Sequence, residues 1–99
     1  MRAATFLKAG EDLVVKEVEA PIIGAHDLIL RVKACGICGS DLHMSEVHDS
    51  SGGVKPLKQG VIMGHEFCGE ICELGQNTDN KFKVGDRVTA LPFVNCGNC

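Results

Sequence analysis

Turn signals interrupt this chain so often that it has room for short strands and little else. Residues 3–9 (AATFLKA) and 13–19 (LVVKEVE) are β-biased and separated by Gly10-Glu11-Asp12, and Pro21 and Gly24 punctuate the loop that follows. Residues 28–34 (LILRVKA) combine an apolar run with alternation, the pattern of a half-buried strand. After Gly36 the pattern changes. Ser40-Asp41 ahead of LHMSEV reads as the capped start of a short helix, with Ser40 or Asp41 as N-cap.

Residues 49–60 (DSSGGVKPLKQG) are polar, carry Gly and Pro, and form the longest structureless stretch. Residues 66–74 (EFCGEICEL) are strand-like; the cysteines four apart would also suit a helix, but Gly69 and Gly75 oppose one. Residues 84–92 (VGDRVTALP) open with a Gly85-Asp86 turn and continue as a strand. Several short strands with one or two short helices predict a mainly β fold, a small barrel or sandwich. At 99 residues the chain suffices for one domain and a modest core. A net charge of −3 without any Lys/Arg run excludes a nucleic-acid footprint, and no apolar stretch is long enough for a membrane helix. The start, MRAATFLKAG, lacks the apolar region of a secretory signal, so a cytoplasmic location is expected.

That location bears on the six cysteines: Cys35, Cys38, Cys68, Cys72, Cys96 and Cys99. In a reducing compartment, metal binding or catalysis explains so many better than disulfides do. The candidate ligand groups are Cys38, the pair His65-Glu66, and Cys96 with Cys99. Zinc takes thiolate and imidazole; a structural site uses four protein ligands, a catalytic one three with a position left open. Cys38 and His65 are far apart in sequence and would meet only through the fold, as suits an open site on a rigid scaffold.

Four motifs then follow in order: GICGSDLH at residues 36–43, GHE at 64–66, VGDRV at 84–88 and CGNC at 96–99. Each alone is weak. In this order they resemble the N-terminal part of zinc-dependent medium-chain alcohol and polyol dehydrogenases, nearest in wording to the polyol and threonine dehydrogenase branch. The resemblance covers the whole chain. It implies a GroES-like, partly open β-barrel, residues 1–99 being the N-terminal portion of the catalytic domain of a larger two-domain dehydrogenase. It further implies that the chain ends inside the structural-zinc lobe and that the nucleotide-binding domain is absent.

By the same resemblance Cys38 and His65 are ligands of a catalytic zinc whose third protein ligand lies past residue 99. Glu66 would stand beside the metal, as an alternate ligand or, the preferred reading, as a carboxylate that hydrogen-bonds around it. Asp41 would accept the other ring N–H of His65. Ser40 would accept the proton of the alcohol, and His43 would pass it towards solvent. Hydride would leave to NAD or NADP from a small alcohol or polyol. Cys96 and Cys99 would be half of a structural zinc site. The parent enzyme is expected to be a homo-oligomer with no nucleic-acid or membrane partner.

Blander roles stand beside these. Ser40 and Asp41 could do no more than cap a helix, Cys38 could be a small packing residue, and His43 could be a surface residue. Cys35, Cys68 and Cys72 match no ligand position and are expected to pack; His26 and His48 receive no role. No Gly-x-Gly-x-x-Gly fingerprint follows a strand, and Gly39 stands where some relatives carry a basic residue for the cofactor's pyrophosphate. The 99 residues alone are therefore expected to be inactive, and open strand edges would favour self-association.

Three rivals remain. A zinc-ribbon module would join the pairs 35/38 and 96/99, but the stretch between Cys38 and Cys96 far exceeds the roughly 15–20 residues usual there. A zinc deaminase needs His-x-Glu and Pro-Cys-x-x-Cys, whereas His65 and Glu66 are adjacent and Asn95 precedes Cys96. A non-catalytic GroES-like barrel shares the fold, but leaves ligand-type residues at four places without a purpose.

Overall fold

The computed structural model describes residues 1–93 and 95–98. It is mainly β, with five strands in two open sheets and one short helix among the described residues. The chain divides into two compact units, Met1–Ala20 with Ile37–Gly64, and Pro21–Gly36 with His65–Cys99.

In the first unit β1 (Arg2–Thr5) and β2 (Val14–Glu17) form an antiparallel ribbon, from Arg2 opposite Glu17 to Thr5 opposite Val14. The sequence predicts a first strand over residues 3–9, but the ladder with β2 ends at Thr5. Phe6 leaves because its backbone is used elsewhere: its N–H donates to the Val61 carbonyl at 2.9 Å, and its carbonyl accepts from Gly60 N–H at 2.8 Å. Thr5 bridges to Ile62, and Met63 N–H donates to the Ala4 carbonyl at 3.0 Å. The segment around residues 60–63 thereby satisfies the outer edge of β1. Thr5 and Phe6 are the buried centre of this unit, at 2% and 3% exposure. A buried hydroxyl needs a partner; that of Thr5 donates to the Val14 carbonyl at 2.8 Å.

The helix α1 (Gly39–Ser45) also belongs to this unit. Its N-cap is Cys38 rather than Ser40 or Asp41, which lie within the first turn. Gly10 N–H donates to the Ser45 carbonyl at 3.0 Å, so the hairpin turn holds one of the carbonyls left open at the helix end.

The second unit is an antiparallel sheet in the order β3 (Leu28–Gly36), β4 (Glu66–Leu74), β5 (Arg87–Thr89). The last strand is shorter than residues 84–92. Gly85 N–H donates to the Ile71 carbonyl and Asp86 carbonyl accepts from Ile71 N–H, both at 2.9 Å, while Asp86 Oδ2 accepts from Lys83 N–H. That turn absorbs the first part of the stretch.

Two register shifts interrupt the β3–β4 ladder: Cys72 is an extra residue on β4 and Lys33 an extra residue on β3. The first explains which side chains of β4 are covered. Phe67, Gly69 and Ile71 turn inward at period two, and after the extra Cys72 the next inward residue is Leu74. Ile71 is wholly buried. Gly75 ends the strand with no space for a side chain, because a Cβ there would run into the Gly24 and Ala25 carbonyls. Its N–H donates to the Asp27 carbonyl at 2.8 Å, tying the β3 approach loop to the β4 exit.

Replacing Ile71 by alanine should destabilise the chain by about 3 kcal/mol, the range for a buried aliphatic side chain whose cavity cannot collapse. Ile22→Ala, at a side chain 95% exposed, should stay within about 0.5 kcal/mol. Urea unfolding followed by circular dichroism measures both.

Candidate metal centre

The β3–β4 ladder ends where Gly36 stands opposite Glu66. His65 immediately precedes Glu66, and Gly64 before it turns the chain at φ +104°, a conformation open to glycine and strained for other residues. An imidazole nitrogen of His65 and a carboxylate oxygen of Glu66 lie within 4.8 Å of each other. His65 is half-buried and Glu66 exposed.

Cys38 follows two residues beyond the same rung, on the β3 side, and is half-buried. Two residues of chain reach at most about 7 Å, and rung partners lie about 5 Å apart. Covalent connection to one ladder end therefore tethers both Cys38 and His65, two positions that the sequence separates widely. The donors on offer are a thiol, an imidazole and a carboxylate, the set that suits zinc.

Asp41 is placed by the helix start. Its Oδ2 accepts the backbone N–H of Cys38 at 3.0 Å, and its own N–H donates to the Cys38 carbonyl at 3.0 Å. This is the return half of a capping box with cysteine at the N-cap. The sequence reading missed this bond. Its signal is an acidic residue three positions after Cys38, hidden because cysteine is not an expected cap. Ser40 and His43 fall three apart on α1, on one face, and both are exposed.

The other cysteines correct an expectation. Cys35, Cys68 and Cys72 do not pack; all three are exposed free thiols. Cys68 and Cys72 lie off the inward set of β4, and the Cys72 thiol donates to the Ile29 carbonyl at 3.3 Å beside its bulge. Cys35 lies opposite Phe67 in the part of β3 that is open to solvent. Gly36 is held in the strand by Glu66, an extended backbone that opposes the tight turn a Cys35–Cys38 disulfide needs. Cys96 is exposed; Cys99 lies outside the described residues, and with it the second thiol of the expected half site. The His26 Nδ1–H donates to the Asn77 carbonyl at 3.2 Å in a surface loop. A cavity of about 500 Å³ in the first unit, lined by Phe6, Lys8, Val47, His48 and Leu57, includes none of the residues assigned to chemistry.

Residues 24–99 match the alcohol dehydrogenase GroES-like domain, and the chain belongs to that family of dehydrogenase catalytic domains. Over all 99 residues it is 35% identical to an L-threonine 3-dehydrogenase of Salmonella paratyphi B, of which it covers 28%. A zinc-dependent alcohol dehydrogenase 2 from Streptococcus pneumonia superposes with a TM-score of 0.71 at 36% identity, over 88% of this chain and 23% of that one. The CAD from Helicobacter pylori, complexed with NADP(H), superposes at 0.81 with 28% identity, over 99% of this chain and 27% of that one. The chain thus spans about 28% of the length of the curated relatives it matches. No helix among the described residues is long and apolar enough to cross a membrane.

Asp41→Ala should cost about 1 kcal/mol of stability in metal-free protein, the usual loss when a capping bond goes, while Ser40→Ala should change it by less than about 0.5 kcal/mol. Urea titrations in the presence of a chelator compare the two.

Proposed function

We propose that the chain is catalytic-domain sequence of a zinc- and NAD(P)-dependent dehydrogenase acting on a small alcohol or polyol. Cys38 and His65 are the zinc ligands it contributes, with Glu66 beside them. The observation that carries this is the Gly36–Glu66 rung, which tethers a thiol, an imidazole and a carboxylate to one ladder end in a chain of this family. Zinc held there supplies a Lewis acid that lowers the pKa of an alcohol hydroxyl. NAD or NADP supplies the hydride acceptor, as the NADP(H) complex of the Helicobacter protein illustrates.

The chain's own groups handle position and protons. Asp41 fixes the start of α1 through Cys38 N–H, and so sets the backbone from which the thiol projects. Its carboxylate has two oxygens, so that bond is compatible with accepting a ring N–H of His65, which fixes the imidazole tautomer. Ser40, two residues along from Cys38, accepts the proton of the substrate hydroxyl. His43, on the same helix face, receives it and delivers it to solvent. Cys96 and Cys99 belong to a second, structural zinc site. All 99 residues form part of one catalytic domain, which works in the cytoplasm as part of a homo-oligomer. The absence of a dinucleotide fingerprint in these residues means that they do not reduce a nicotinamide by themselves.

Zinc-loaded, dialysed chain should retain metal that depends on Cys38 and His65. Cys38→Ser and His65→Ala should abolish that fraction by elemental analysis, while Cys35→Ser leaves it unchanged. Equal loss in Cys35→Ser would favour a Cys-x-x-Cys knuckle instead. With an alcohol and NAD or NADP, the purified chain should give no change in absorbance at the reduced-nicotinamide band; a change would overturn the assignment of inactivity.

A further inference from the structure

Gly36 has no conformational reason to be glycine, since it lies within β3 and is not among the residues of positive φ. What excludes a side chain is space. A Cβ at this position would stand 2.9 Å from Glu66 Oε2 and 3.4 Å from Glu66 Cβ, while the nearest backbone atom, the Glu66 carbonyl oxygen, would be at 3.6 Å. The Glu66 carboxylate therefore lies across the bare Cα of its rung partner, in the volume that a methyl group would take. A carboxylate oxygen of this same residue comes within 4.8 Å of the His65 ring nitrogen.

We propose that Gly36 is a positioning residue for the metal centre: its missing side chain forms the seat that holds the Glu66 carboxylate beside His65. This rests on the zinc reading above and deepens it. The carboxylate is exposed on a flexible stem, so its placement needs a surface to lie on, and the ladder end provides one. A methyl at residue 36 displaces the end of a side chain and leaves backbone at ordinary contact distance. The strand pairing survives and the carboxylate moves. The effect passes wholly through Glu66.

Cobalt(II) in place of zinc reports on the centre without any turnover. Affinity is read by chelator competition, the thiolate by its charge-transfer absorption, and the coordination geometry by the visible d–d bands. Gly36→Ala should weaken cobalt binding about tenfold, the lower end of the range for groups that orient metal ligands, and shift the d–d bands. The metal-free unfolding midpoint should hold. In a Glu66→Ala background the same substitution should have no further effect. Unchanged affinity and bands in Gly36→Ala, equal losses with and without Glu66, no effect of Glu66→Ala itself, or an unfolded Gly36→Ala chain would each overturn the proposal. A wild-type chain that binds cobalt without the thiolate band overturns the zinc reading, and this one with it. An intact band that is insensitive to Gly36→Ala overturns the seat alone.

Discussion

Everything distinctive about this chain depends on where one ladder stops. Antiparallel pairing of β3 with β4 runs to Gly36 opposite Glu66, and the residues that follow one strand and precede the other carry the donor atoms. Backbone hydrogen bonds, which are indifferent to side-chain chemistry, thus set which residues stand next to the ladder end. The chain leaves the second unit after Gly36 and returns to it at His65.

The helix start adds a second constraint to the same few residues. Cys38 is the cap of α1, and Asp41 returns a bond to its amide. A residue in that role has its backbone dihedrals set by the helix as well as by the strand before it. The thiol then projects from a backbone position held on both sides of its residue, as the proposed role of metal ligand would require. Serine or threonine would be the more usual cap.

Much of the fold was legible because turn chemistry is local. The Gly10-Glu11-Asp12 and Gly85-Asp86 turns, the loop at residues 49–60 and the bounds of β4 all follow from residues adjacent in sequence. What was not legible depends on distant partners. Nothing near Phe6 says that its amide and carbonyl will be taken by residues 60 and 61, so the first strand reads too long. In EFCGEICEL the inward set is Phe67, Gly69, Ile71 and Leu74, a spacing of two that lengthens to three across the bulge. Without knowledge of that bulge the period is ambiguous, and the cysteines look like core residues of a strand or a helix. The motifs around Cys38 and His65 identified candidate ligands, yet the space over Gly36 is visible only once Glu66 is seen across from it.

The interruption of the β3–β4 ladder at Lys33 has a consequence for the chain's behaviour in a crowded solution. β3 is an edge of its sheet, nine residues long, and an edge of that length with regular pleat is a template for a foreign strand. The extra Lys33 interrupts its regular alternation and sends a charged side chain outward to Glu70 at 3.6 Å. An incoming strand finds its match lost after a few residues. The bulge at Lys33, which lies on the edge strand itself, thus works against fibrillar pairing of β3.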